Sequence, residues 1–523
     1  MEVLSVKNLN FEYESEKGIE KEGFALRNVS FTADRGEMIL VCGPSGCGKT
    51  TLFRLLKEEI KPAGSMTGTI RNLYGSGRTG FLFQNPESQI VCQTVEEELA
   101  FGAENLGMAP GEIGRSVAEI SAYLGIEKIL HAKTAELSGG QKQMLNLASI
   151  LMMKPKILLL DEPVSQLDPV CTCDFISLLR KIREELNITI LLTEHNLDAF
   201  LGDADRILYM EKGEIRYSGN ADGFIGNMME ENRNFKYSLP ETVKLFVKNA
   251  GGAECNFPLT IRELLQRVKP EQISFPVETD TPDPGKKEKT ETAVRVKSGY
   301  YRYEKNSPDI LKALDLSLEK GKIYALIGGN GAGKSTLFSV LSGYRKLYRG
   351  KCTIYGTAGV LPQNPVYAFF KDVLYEDYRM IAGEERIGEL IEQYEFCRDI
   401  KLLFDKNPLD LSGGQMQKAA VFKMLLRESD ILLLDEPVKG MDGYEKKLFR
   451  EMLRQLRDSG KTILFISHDL EFVQSIADRC LMMFDGKMIA EEPPEKMFLD
   501  NRFYTTVRGR IGGILRDESD VVH

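Results

Sequence analysis

ELSGGQKQMLNLASILMMKPKILLLDEPVSQLD, residues 136–168, returns as DLSGGQMQKAAVFKMLLRESDILLLDEPVKGMD, residues 410–442. Each copy starts in a Gly-rich loop, passes through an apolar helical segment and ends in an apolar strand capped by Asp-Glu. The strands are Ile157–Leu160 and Ile431–Leu434. Four apolar residues without alternation suit a strand buried on both faces, as in a parallel sheet. The carboxylates Asp161-Glu162 and Asp435-Glu436 then stand at the C-terminal end of the strand, where open α/β sheets place their ligands. One copy alone also fits a buried strand running into a solvated acidic turn. Two copies with one spacing do not fit chance: 161 − 138 and 435 − 412 both give 23.

Upstream of each copy lies a phosphate-binding pattern. The apolar strand Met38–Cys42 runs into Gly43-Pro44-Ser45-Gly46-Cys47-Gly48-Lys49-Thr50, followed by Thr51 and a helix predicted over Thr51–Glu59. The second copy reads Gly328-Gly329-Asn330-Gly331-Ala332-Gly333-Lys334-Ser335, followed by Thr336. Glycines let backbone N–H groups turn inward around phosphates, and a helix N-terminus adds partial positive charge. The lysine reaches the β- and γ-phosphates, and the Thr50 or Ser335 hydroxyl meets Mg²⁺. Asp161 and Asp435 are placed to hold the same ion. Glu162 and Glu436 can act on an attacking water.

LSGGQ followed by LLLDEP resembles the signature and Walker B pairing of ATP-binding cassette (ABC) ATPases, over nearly the whole chain. The resemblance implies an α/β fold of two nucleotide-binding domains. Each would have a RecA-like P-loop core, a small antiparallel β subdomain and a helical subdomain. It implies ATP hydrolysis with ATP and Mg²⁺. Tyr13, at the end of a strand over Val3–Tyr13, and Tyr303 fill the place of the aromatic that stacks on adenine. Gln84, after a strand at Phe81–Phe83, and Gln363 fill the place of the glutamine that contacts Mg²⁺ and water. His195, after the strand Ile188–Leu192, and His468 fill the place of the γ-phosphate histidine. In the family two cassettes pack head to tail, and each signature covers the ATP of the other. Lys49, Gln84, Asp161, Glu162 and His195 would then join Ser412, Gly413, Gly414 and Gln415. Lys334, Gln363, Asp435, Glu436 and His468 would join Ser138, Gly139, Gly140 and Gln141.

The expected domains are a first cassette over 1–236, a helical extension over 237–277, a polar linker over 278–292 and a second cassette with a tail over 293–523. Two short amphipathic helices around a Gly-Gly turn are expected within Tyr237–Val268, and helical patterning over Ile113–Leu130. The wording QNPESQ from Gln84 and TVEEELAFGAENLG from Thr94 is similar to the ATPases of energy-coupling factor (ECF) importers, which take up vitamins and transition-metal ions. That likeness implies two partners, an integral membrane scaffold (T-type) protein and a substrate-binding (S-type) membrane protein. A soluble tandem-cassette factor acting on ribosomes is the rival, and it expects a long charged helical arm and a basic surface. The tandem ATPase of a sugar-type importer is a third reading, and it expects one altered site.

Composition agrees with a soluble ATPase. The chain has 523 residues, 42% apolar and 28% charged, with a net charge of −9, which argues against a general nucleic-acid surface. No run approaches the ~18 apolar residues of a membrane span, and the N-terminus lacks a signal-peptide pattern. The expected location is the cytoplasmic face of the membrane, held there by partners. Nine scattered cysteines predict reduced thiols. Three departures predict two unequal sites. Met144 and Lys418 differ after the second Gln of the signature, Lys439-Gly440 replaces Ser165-Gln166, and the ECF wording fades after Gln363.

Overall fold

The computed structural model describes residues 1–14, 24–195, 197–250, 256–269 and 291–521. The Gly-Gly turn at 251–252 and the linker over 278–290 lie outside the described residues. Contacts divide the chain into two compact units, Met1–Val243 with Gly252–Thr260, and Lys244–Gly251 with Ile261–His523.

The first unit is built on a six-stranded sheet. Its order is Thr79–Leu82, Ile157–Asp161, Thr189–Thr193, Met38–Cys42, Arg206–Glu211 and Glu214–Gly219, with only the last pair antiparallel. Its four leading strands are buried at every residue, as their unbroken apolar runs require. A second sheet is antiparallel, in the order Leu26–Asp34, Glu2–Tyr13 and Gly64–Asn72. Phe11, Leu26, Val29, Ile39, Val41, Leu52, Phe53 and Leu159 form one core between the sheets. The helices Val95–Asn105, Pro110–Leu124 and Gly139–Met152 enclose a separate core of Val95, Leu99, Ile113, Val117, Leu145 and Ala148.

The second unit repeats this plan. Its main sheet runs Ala358–Leu361, Ile431–Asp435, Thr462–Ile466, Ile323–Ile327, Arg479–Phe484 and Lys487–Glu492. Its antiparallel sheet runs Leu311–Glu319, Thr292–Tyr301 and Arg349–Ile354. Each unit is therefore a P-loop α/β core with an antiparallel β subdomain and a helical subdomain. The helices Glu241–Ala250 and Ile261–Arg267 lie where two short helices are expected, and the tail forms a helix over Val507–Val521.

Some boundaries move for local reasons. The helix after the first phosphate loop spans Lys49–Leu55 and ends before Glu59. Lys57 turns extended, at φ −122 and ψ 108, and its ammonium donates to the Thr79 carbonyl at 2.9 Å. The patterning over Ile113–Leu130 breaks at Gly125, whose φ of 68 ends the helix at Leu124. The eight cysteines among the described residues are all free thiols.

Candidate nucleotide sites

Both phosphate loops have the conformation their glycines permit. Gly48 and Gly333 precede the helices at φ 104 and 100. A β-carbon on Gly43 would lie 2.1 Å from the Met210 carbonyl, and one on Gly328 would lie 2.2 Å from the Met483 carbonyl. Only glycine fits such positions. Lys49 is buried and donates to the carbonyls of Gly43 (2.8 Å) and Pro44 (3.1 Å). Lys334 does the same toward Gly328 (2.8 Å) and Gly329 (3.0 Å). The loop thus curls around its own lysine. Tyr13 and Tyr303 stand beside the loops, their hydroxyls 2.8 and 3.0 Å from Thr51 and Thr336 Oγ1. About half of each tyrosine is exposed.

The carboxylates lie at the C-terminal ends of the buried strands, next to the loop helices. Thr50 Oγ1 donates to Asp161 Oδ1 at 3.2 Å, and Thr193 Oγ1 donates to the same oxygen at 2.7 Å. No described residue donates to Asp161 Oδ2. An all-oxygen set of hydroxyl and carboxylate fits Mg²⁺. Among the described residues no three His, Cys, Asp or Glu side chains cluster to hold a metal. Glu162 and Glu436 sit at φ 46 and 50. Left-handed backbone on a non-glycine residue is costly and turns the side chain out of the strand's alternation.

Around Glu162 the first cassette closes a network. Gln84 Nε2 donates to Glu162 Oε2 at 2.7 Å, and His195 Nε2 lies 3.0 Å from Oε1. Burial pushes the Glu162 carboxyl up, but His195, Lys49 and Gln84 outweigh it and hold the group below its ordinary value. Behind it, Glu194 is buried and accepts the Val164 N–H at 3.2 Å. Burial and the Glu162 charge raise its pKa to about 8.

The second cassette holds the same groups more loosely. The His468 N–H donates to Glu436 Oε2 at 3.3 Å, while His468 Nε2 lies 3.5 Å from Oε1. That oxygen is buried without a hydrogen bond. Burial and the Asp435 charge raise Glu436 to about 8, and burial raises Asp435 to about 6. Gln363 makes no hydrogen bond to Glu436 among the described residues.

The signatures open helices. Ser138 Oγ accepts the Gln141 N–H at 3.3 Å, and Gln141 Oε1 accepts the Ser138 N–H at 2.9 Å. Ser412 and Gln415 form the same reciprocal cap at 3.4 and 3.2 Å. These caps fix the entry angle of each helix and leave the Gly139-Gly140 and Gly413-Gly414 N–H groups at its positive end. Gln143 and Gln417 reach back to the Pro163 (2.8 Å) and Pro437 (3.1 Å) carbonyls, tying each signature helix to the turn after the carboxylates. Within each cassette the structure brings phosphate loop, tyrosine, glutamine, carboxylates and histidine to one end of the sheet.

Two groups escape the motif reading, Thr193 and Glu194. Their signal was a polar pair ending an apolar strand, where the second copy has Ile466-Ser467.

The family model for ABC transporters matches residues 26–165 and 311–439. A Bacillus cereus protein, "Putative ABC transporter ATP-binding protein", is 39% identical, with 96% of this chain and 93% of that protein covered. A Bacillus subtilis protein, "Putative HMP/thiamine import ATP-binding protein YkoD", is 29% identical, with 95% and 92% covered. A solved structure, "Model of ribosome-bound archaeal Pelota and ABCE1", matches with a TM-score of 0.67 at 22% identity, covering 95% of this chain and 80% of that one. That last likeness concerns the fold alone. Taken with the two phosphate loops and their carboxylates, these matches make the chain a member of the ABC transporter ATP-binding family, a tandem-cassette ATPase that uses ATP with Mg²⁺.

Proposed function

We propose that this ATPase energises an ECF-type importer of a vitamin or transition-metal ion, through head-to-tail closure of its two cassettes. The observation that carries the reading is the likeness, along 95% of the chain, to a protein described as an HMP/thiamine import ATP-binding protein. The wording from Gln84 to Gly107 supports it. Among the described residues no helix is long and apolar enough to cross a membrane. In this reading a T-type scaffold and an S-type substrate-binding protein supply the path, and the ATPase sits at the cytoplasmic face.

In the proposed mechanism Tyr13 and Tyr303 hold the base, and the glycine loops with Lys49 and Lys334 hold the phosphates. Thr50, Asp161 and Gln84 would hold one Mg²⁺, and Ser335, Asp435 and Gln363 the other; the ion, when bound, draws charge from the phosphate oxygens. Glu162 and Glu436 accept the proton of the attacking water, and Gln84 and His195 orient Glu162 for that task. Each signature helix presents its N–H groups to the γ-phosphate of the opposite cassette. Closure then depends on the phosphate that hydrolysis removes, which couples chemistry to motion.

The test is gentle solubilisation of tagged protein from its native membranes, followed by identification of what co-purifies. A multi-span protein with small, very apolar proteins is the expected result. Ribosomal proteins with nothing from the membrane would overturn the importer and favour a translation factor. A pair of large permease subunits alone would favour the sugar-type reading.

A further inference from the structure

The strand Thr189–Thr193 ends on a side chain with two polar partners. Thr193 is fully buried. Its hydroxyl donates to Asp161 Oδ1 at 2.7 Å and accepts the Glu162 N–H at 3.0 Å. The Glu162 N–H also meets the Thr193 carbonyl at 3.2 Å. One hydroxyl therefore ties together both residues that carry the site's carboxylates.

The matching strand, Thr462–Ile466, ends on Ile466, which is equally buried. The Glu436 N–H keeps only the Ile466 carbonyl, at 3.0 Å. Among the described residues no group donates to the Asp435 carboxylate. Ser335, which stands where Thr50 stands, makes no bond to Asp435. The sheet registers agree, since Asp161 pairs with Thr193 as Asp435 pairs with Ile466. The backbone pairing is thus alike, and two side chains differ: Ile466 carries no hydroxyl, and Ser335 does not bond Asp435 as Thr50 bonds Asp161.

A buried carboxylate is free to take any rotamer its surroundings allow, and ordering it costs entropy when a ligand arrives. A hydroxyl aimed at one oxygen fixes that rotamer beforehand and leaves the other oxygen for the ligand. From this contrast we infer that Thr193 is a positioning residue for Mg²⁺ with ATP in the first cassette, and that Ile466 leaves the second cassette without this preset. The inference rests on the metal role proposed above for Asp161. It assigns part of the inequality of the two sites to a residue outside every motif.

The experiment uses the full chain and titrates Mg²⁺ against binding of a fluorescent ATP analogue, alongside turnover and thermal melting. Lys334→Ala isolates the first site and Lys49→Ala the second. In the first background Thr193→Val is expected to raise the half-saturating Mg²⁺ about tenfold, with binding of the metal-free nucleotide unchanged. Thr193→Ser is expected to restore it within about twofold. In the second background Ile466→Thr is expected to lower the half-saturating Mg²⁺. Equal Mg²⁺ requirements for Thr193→Val and the parent, or no gain from Ile466→Thr, would overturn the inference. The Ile466→Thr arm decides the matter if Thr193→Val fails to fold. Asp161→Asn separates the two levels. If it leaves the half-saturating Mg²⁺ untouched, the proposed metal role fails; if it raises that value and Thr193→Val does not move it, only the present inference fails.

Discussion

At the end of the strand Ile157–Asp161 the first cassette gives Asp161 two hydroxyl donors and gives Glu162 an amide and an imidazole. At the same point the second cassette gives Asp435 no donor among the described residues and leaves Glu436 Oε1 without a hydrogen bond. Strand order, phosphate loops, left-handed glutamates and signature caps are the same in both. The comparison teaches that a complete motif set does not make equal sites. Motifs name the groups that meet the nucleotide. The neighbours that hold those groups still are drawn from positions free to differ.

The sharpest way to break the comparison is to remove each proposed base. Glu162→Gln and Glu436→Gln should each retain ATP binding and slow hydrolysis at their own site by about 10²-fold or more. The double variant should bind without turning over. Undiminished hydrolysis in the double variant, read by phosphate release, would refute the assigned bases.

A second contrast lies in the helical subdomains. Lys423 is buried against the fully buried Asp377, donates to the Ala368 carbonyl at 2.5 Å, and lies 4.8 Å from the Phe370 ring centroid. The aligned residue in the first cassette is Ser149, which bonds to the Leu145 carbonyl at 3.0 Å. Removing one partner of a buried ion pair strands the other charge. Lys423→Ala should therefore destabilise the second cassette by about 3–5 kcal/mol, against about 1 kcal/mol for Ser149→Ala. Calorimetric melting of the two variants checks this.

The glutamines give a smaller contrast. Gln84→Ala should slow first-site turnover about tenfold by releasing Glu162. Gln363→Ala should cost the second site less, because no such bond exists there before nucleotide binds. Equal losses would mean that the second network forms fully on binding.

The smallest effect concerns acid. Burial pushes Asp469 up, but Lys446, whose ammonium donates to it at 2.7 Å, holds it below its ordinary value. Folding favours the ionised form, so this stabilisation is present above about pH 4 and is lost as pH falls through the lower folded-state value. Asp469 also caps its helix through the Phe472 N–H at 2.9 Å. Asp469→Asn, which copies Asn196 of the first repeat, keeps a capping side chain but loses the Lys446 pair, and should cost up to about 1 kcal/mol at neutral pH and flatten the fall in melting temperature below pH 4. An unchanged acid slope would remove Asp469 from the account.

The glycine pattern at Gly43–Gly48 and the apolar strands made the core and the phosphate site readable, because backbone geometry demands those residue types. LSGGQ reads as a Gly-rich loop, yet the reciprocal cap of Ser138 and Gln141 starts the helix already at Gly139. The left-handed turn at Glu162 was hidden, since a glutamate carries no mark of positive φ. The Lys423–Asp377 pair was hidden too, because 46 residues separate its members. Thr193 was visible as a letter, but only the sheet register shows that its hydroxyl faces Asp161 and not the opposite side.

The most direct measurement is a rapid-quench single turnover from ATP-loaded protein. The account predicts two phases of similar amplitude, with the faster phase lost in Glu162→Gln and the slower lost in Glu436→Gln. A single phase in the parent, halved alike by either substitution, would contradict it.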